Sequence, residues 1–143
     1  MLDSRHTVVF ADDHLPMLQA ACALLEPTYN VVRSTTSGKE AVQWVIKLRP
    51  DLAVLDICMP DLDGLAAARE LNRAGMNTRI LFLAEMEDED YVREARLLAY
   101  GYVLKRRLAC DLLPALASAA SGSFFLSRQR SSSRISLEKQ VLL

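Results

Sequence analysis

The sequence predicts an α/β protein: a (βα)5 chain folded as a doubly wound, parallel, five-stranded sheet. Three observations lead there. Short apolar runs recur along the chain, apolar stripes of helical period lie between them, and helix-starting and helix-ending residues fall at the junctions. Continuous apolar runs, rather than alternating ones, suit strands of a parallel sheet covered on both faces. Right-handed crossovers then put helices on both sides of an open sheet.

The first run, Thr7-Val8-Val9-Phe10-Ala11, is followed by a stripe at Leu15, Leu18, Cys22 and Leu25. Tyr29-Asn30-Val31-Val32 predicts the second strand. Ala41, Trp44, Val45 and Leu48 then recur at i, i+3, i+4 and i+7, one buried helix face that puts Trp44 in the core. Ser37 precedes this helix and Pro50 ends it. Leu52-Ala53-Val54-Leu55 is the third strand, and Leu65, Ala68 and Leu71 mark the helix after it, with Gly75 beyond its end; Asp61 and Asp63 read as shaping the loop before Gly64, with a helix cap as the alternative for Asp63. Ile80-Leu81-Phe82-Leu83 is the fourth strand. A thinner stripe at Val92, Ala95 and Ala99 follows, its start favoured by the acids at 87–90 through the helix dipole. Tyr102-Val103-Leu104 is the fifth. The last helix carries Leu113, Leu116, Ala117 and Ala120, with Asp111 as its cap and Pro114 in its first turn.

The chain has 143 residues, 51% of them hydrophobic and 24% charged, enough for one domain that folds without staples. Its 17 Lys and Arg against 18 Asp and Glu argue against nucleic-acid binding by global charge. No apolar run suits a membrane helix, and Met1 to His6 lack a signal peptide's apolar stretch, so a cytoplasmic protein without membrane partners is expected. Cys22, Cys58 and Cys110 are odd in number and widely spaced, which suits reduced thiols rather than a disulfide or zinc framework. After Gly122 the character changes. The stretch from Ser127 to Arg134 is Ser- and Arg-rich and reads as a linker, and Ile135 to Leu143 has an amphipathic pattern too short to be stable alone.

In an open parallel sheet, ligands bind beyond the carboxyl ends of the strands. Asp12-Asp13 follows the first strand, Asp56 the third and Lys105 the fifth, so three carboxylates and one ammonium converge on one edge. Like charges about 4 Å apart at an effective dielectric of 20 repel by ~4 kcal/mol. Lys105 alone is too little to offset this, whereas a divalent cation with oxygen ligands suffices. Mg²⁺ fits, since it takes one or two carboxylates, waters and a phosphate oxygen. Asp56 then becomes a nucleophile for a phosphoryl group, with catalysis mostly by positioning and charge neutralisation. The plainer alternative is that each strand-end acid merely caps a helix. His14 reads as a solvated residue opening the first helix, with no partner in register at His6.

Asp56-Ile57-Cys58-Met59-Pro60-Asp61-Leu62-Asp63-Gly64 closely resembles the phosphorylation loop of bacterial two-component response-regulator receiver domains. Asp12-Asp13 resembles their acidic pair, Lys105 their lysine, and Ala99 to Lys105 their fifth strand. The run from Asp111-Leu112-Leu113 to Gly122-Ser123-Phe124-Phe125-Leu126-Ser127 resembles the NarL/LuxR-type subclass. The resemblance implies a flavodoxin-like sheet of strand order 2-1-3-4-5, a receiver over residues 1–126, and a linker over 127–143. That linker would lead into a helix-turn-helix domain of which this chain holds at most the start. Asp56 would accept phosphate from a histidine kinase. Asp13, Asp56 and the backbone carbonyl of Cys58 would ligate Mg²⁺, Asp12 would act through water, and Lys105 would pair with the phosphoryl oxygens. Tyr102 stands at the switch aromatic, whose rotamer reports a two-state surface of fourth helix, fifth strand and fifth helix. The same resemblance admits a homodimer through the receiver, and DNA contact only through a domain absent from this chain.

Two positions depart from the family. Its fourth strand ends in Thr or Ser, whose hydroxyl bonds the phosphoryl group; here Ala84 stands there. Losing one hydrogen bond to a charged group costs ~1.5–3 kcal/mol, tenfold or more in a two-state ratio. Alanine also leaves room for Tyr102 to turn inward without a signal. Glu85 follows, and a carboxylate there repels an incoming phosphoryl donor unless it turns to solvent. The chain is therefore either a receiver with weakened or phosphorylation-independent switching, a pseudoreceiver at the limit, or an ordinary receiver that tolerates alanine. An aspartyl hydrolase would need a second Asp where Cys58 stands, and a flavin site would need a Ser/Thr/Gly-rich loop where Asp12-Asp13-His14 stands.

Overall fold

The computed structural model describes residues 3–128. Its elements run β1 (Thr7–Ala11), α1 (Leu15–Leu25), β2 (Asn30–Thr35), α2 (Gly38–Leu48), β3 (Leu52–Asp56), α3 (Gly64–Arg73), β4 (Arg79–Ala84), α4 (Glu89–Leu98), β5 (Gly101–Leu104), a 3₁₀ turn (Lys105–Arg107), α5 (Leu108–Ala120) and β6 (Phe125–Leu126). The sheet has the order β2-β1-β3-β4-β5-β6, so the five expected strands take the order 2-1-3-4-5 and a short sixth extends it. All pairs are parallel.

Successive strand residues feed opposite cores, which is why the runs are apolar throughout. Val9, Ala11, Ala53 and Leu55 meet α2, α3 and α4, while Val8, Phe10, Leu52 and Val54 meet α1 and α5. Ser37 caps α2 by accepting from the Glu40 amide, and Asp63 caps α3 by accepting from that of Ala66. Asp88 caps α4, with Glu89 and Asp90 in its first turn.

The structure corrects several details. β2 runs on through Arg33 and Ser34, which are exposed, because an edge strand needs no apolar cover on both faces. Leu15 (51% exposed) and Leu48 (40%) fall outside the core at the ends of their stripes. Trp44 is only half-buried, under the Arg33 guanidinium at 4.1 Å from the ring centroid.

Asp111 does not cap α5. The 3₁₀ turn winds directly from Lys105 into the helix, so α5 begins earlier and Pro114 lies inside it. The face that packs is Leu108, Leu112, Ala115, Leu116 and Ala119, so Leu116 is the one residue of the expected stripe that is fully buried, while Leu113, Ala117 and Ala120 lie beside or outside this face. A helix this apolar offers several stripes, and the entry angle set by the turn selects one.

The packed chain reaches Ser127, which the sequence groups with the linker. It is buried, its hydroxyl donates to Asp111 Oδ2 at 2.6 Å and its amide to the Tyr102 carbonyl. The linker from residue 129 and the segment Ile135–Leu143 lie outside the described residues.

Candidate functional site at the carboxyl edge of the sheet

The acid pair sits where β1 runs out. The Asp12 amide still donates to the Thr35 carbonyl of β2, which fixes the backbone, and the Asp12 side chain turns into the protein, fully buried. Asp12 Oδ1 accepts from the His14 amide at 2.9 Å, an Asx turn that starts α1 and leaves Asp13 and His14 exposed. Asp56 is the last residue of β3. Its Oδ1 accepts from the Cys58 amide at 3.1 Å, and the Ile57 amide donates across to the Leu83 carbonyl. Gly64 closes the loop against it: a Cβ there would lie 2.5 Å from the Asp56 carbonyl oxygen, so only glycine fits this approach. Asp61 bonds the Ser37 hydroxyl and the Gly38 and Lys39 amides, lashing the loop to the start of α2; these bonds, the Ser37 hydroxyl first, lower its pKa.

Lys105 completes the cluster from the end of β5. Its Nζ lies 2.9 Å from Asp56 Oδ2 and 3.3 Å from Asp12 Oδ2, and all three side chains are buried. Burial raises the Asp56 pKa to about 6; the Lys105 hydrogen bond pulls the other way and the Asp12 charge adds to the rise. For Lys105 burial disfavours the charge, but Asp56 and Asp12 together more than offset this and its pKa is raised. Local desolvation of its thiol, with the Asp56 charge beside it, also pushes up the Cys58 pKa, although the residue as a whole is exposed.

Oxygen atoms of Asp12, Asp13 and Asp56 all lie within 4.8 Å of one another. Among the described residues Asp12 Oδ2 has no hydrogen-bond donor, although it is buried and only loosely ion-paired. Hard oxygen donors in acid excess, with one starved of a donor, fit a divalent cation such as Mg²⁺. All the predicted acids and Lys105 are thus brought together.

Position 84 is the buried end of β4, where the methyl of Ala84 offers no donor. Tyr102 on β5 is fully buried, and its hydroxyl donates to the Met86 carbonyl at 2.6 Å, with the ring inward. Burial drives its pKa up to about 12. Glu85 is 72% exposed, yet its Oε1 lies 3.7 Å from Lys105 Nζ, a contact the sequence does not reveal. Also unforeseen is the bidentate grip of Arg107 on Asp111, for which the i, i+4 spacing was the available signal.

A doubly wound sheet with acids and a lysine gathered at its carboxyl edge is the arrangement of a receiver-type signalling domain. The family model described as "Response regulator receiver domain" matches residues 8–117, and the chain belongs to that family. Its relatives are NarL/LuxR-type response regulators of two-component systems. It is 35% identical over 125 residues to the nitrate/nitrite response regulator protein NarL of Escherichia coli (strain K12), covering 85% of this chain and 57% of that protein. It is 32% identical over 127 residues to the transcriptional regulatory protein DegU of Brevibacillus brevis, covering 87% of this chain and 54% of that one. The chain therefore spans little more than half the length of these relatives. The solved signal receiver domain of the response regulator NarL from Mycobacterium tuberculosis superposes with a TM-score of 0.79 at 27% identity, covering 84% of this chain and 99% of that one. No helix among the described residues is long and apolar enough to cross a membrane.

Proposed function

We propose that this chain is the phosphoacceptor module of a response regulator, taking a phosphoryl group onto Asp56 from a histidine kinase in a Mg²⁺-dependent reaction. The observation that carries this is the buried Asp56–Lys105 pair at 2.9 Å with Asp12 and Asp13 alongside. An Asp56 oxygen forms a bond to phosphorus as the phosphorus–nitrogen bond of the kinase phosphohistidine breaks, the electron pair leaving on the imidazole. Lys105 gives up Asp56 for a phosphoryl oxygen. Asp13, Asp56 and the Cys58 carbonyl would hold Mg²⁺ directly, and Asp12 would act through water. The bound ion supplies positive charge against the phosphoryl oxygens. The module works in the cytoplasm, alone or as a homodimer, and controls an attached DNA-binding domain.

Incubation with acetyl phosphate and Mg²⁺ should add one phosphoryl mass that Asp56→Asn abolishes. Steady phosphate release at enzyme-like rates would instead mark a hydrolase.

A second reading, a pseudoreceiver, is favoured by Tyr102 already bonded inward to Met86 beside a β4 end without a hydroxyl. Beryllofluoride with Mg²⁺ separates the two. Small amide shifts around Tyr102 at full occupancy support this second reading, and wide receiver-like shifts refute it.

A further inference from the structure

Lys105 faces three carboxylates of unlike character. Asp56 and Asp12 are buried, at 2.9 and 3.3 Å from Nζ, whereas Glu85 stands on the solvent side at 3.7 Å. We propose that Glu85 is a specificity-determining residue of the phosphoryl site: an internal anion that competes with phosphoryl oxygens for Lys105 and tilts the site toward cations. The assignment rests on the phosphoacceptor reading and deepens it.

β4 places Glu85. It is hydrogen-bonded between β3 and β5, so the residue after Ala84 emerges between Asp56 and Lys105. No other side chain at this end of β4 compensates, because the methyl of Ala84 has no donor to offer an anion. With Asp12, Asp13, Asp56 and Glu85 ionised against Lys105, the formal charge is −3. A divalent cation leaves −1, where the same site without Glu85 would be neutral. A phosphoryl group thus meets a negative site, and the ammonium it needs is already engaged. The separation of 3.7 Å and the exposure of Glu85 make the contact loose enough to exchange.

Unit charges roughly 6 Å apart across partly screened solvent change a binding ratio about three- to tenfold. The test uses the full chain as wild type, Glu85→Gln and Glu85→Ala, titrated with Mg²⁺ alone and with beryllofluoride at saturating Mg²⁺. Both variants should bind Mg²⁺ about threefold more weakly and beryllofluoride about three- to tenfold more tightly at low salt. Both ratios should shrink toward one near 1 M salt, where charges are screened within about 3 Å. Glutamine keeps the size of glutamate, so a gain in Glu85→Ala that Glu85→Gln lacks would make the effect steric and overturn the proposal. Equal Mg²⁺ affinities in all three proteins would overturn it too. A changed Mg²⁺ ratio with no phosphoryl uptake from acetyl phosphate in any variant would sink the phosphoacceptor reading while leaving Glu85 as the charge partner of Lys105.

Discussion

Lys105 is the residue on which the cluster turns, because its ammonium is the counter-charge within salt-bridge distance of two buried carboxylates. Lys105→Met keeps the length of the side chain and removes the charge, leaving Asp12 and Asp56 to repel each other away from water. Loss of one partner of a buried pair costs about 3 kcal/mol. Urea unfolding at pH 7 without metal should show that loss, and saturating Mg²⁺ should restore most of it. Tyr102 makes a different point at the same scale. Its hydroxyl pins the Met86 carbonyl, and so the β4–α4 segment, from inside the protein. Tyr102→Phe should cost about 1 kcal/mol and speed amide exchange from Glu85 to Asp88, with little change elsewhere. Unchanged exchange there would mean the segment is held by other contacts.

Among the elements, α5 shows where sequence reading succeeds and where it stops. The strands were legible because burial on both faces forces long apolar runs, and the site was legible because its acids and lysine fall directly after those runs. The face of α5 was not, since nearly every residue of Leu108–Ala120 is apolar and the 3₁₀ turn that fixes its register carries no pattern of its own. β6 was hidden for a similar reason: two residues cannot establish a period. The Glu85–Lys105 contact joins residues that follow two different strands, and spacing along the chain says nothing about it. The same limit concealed the Asp111–Ser127 bond, which together with the Arg107–Asp111 pair ties the turn beside Lys105 to the last packed residue. Asp111→Asn weakens its bonds to both partners at once. It should lower stability by about 1–2 kcal/mol and accelerate tryptic cleavage after Arg128. Ser127→Ala should reproduce the faster cleavage with a smaller loss of stability; cleavage at the wild-type rate in both would show that these bonds do not hold the end of the fold.

For the molecule as a whole, the acid cluster couples folding to protons and, with the Mg²⁺ site proposed above, to metal. The folded pKa of Asp56 is about 6, against an ordinary value of 3.8, raised chiefly by burial. Between these two values the native state holds a proton that the unfolded chain has lost. The metal-free protein is therefore destabilised as pH rises through this window, and the penalty is fully present above pH 6. From pH 5 to pH 7 the loss should be about 1 kcal/mol. Asp61, with its lowered pKa, loses its own contribution only at more acid pH and does not mask this change. Divalent cations bind the ionised carboxylates, so their stabilising effect grows with pH. Thermal unfolding without metal should thus give a higher midpoint at pH 5 than at pH 7, and saturating Mg²⁺ should reverse that order. Asp56→Asn removes the titrating group and should flatten the metal-free trend. A metal-free wild type more stable at pH 7 than at pH 5 would show that Asp56 is not held in the uncompensated environment its burial dictates.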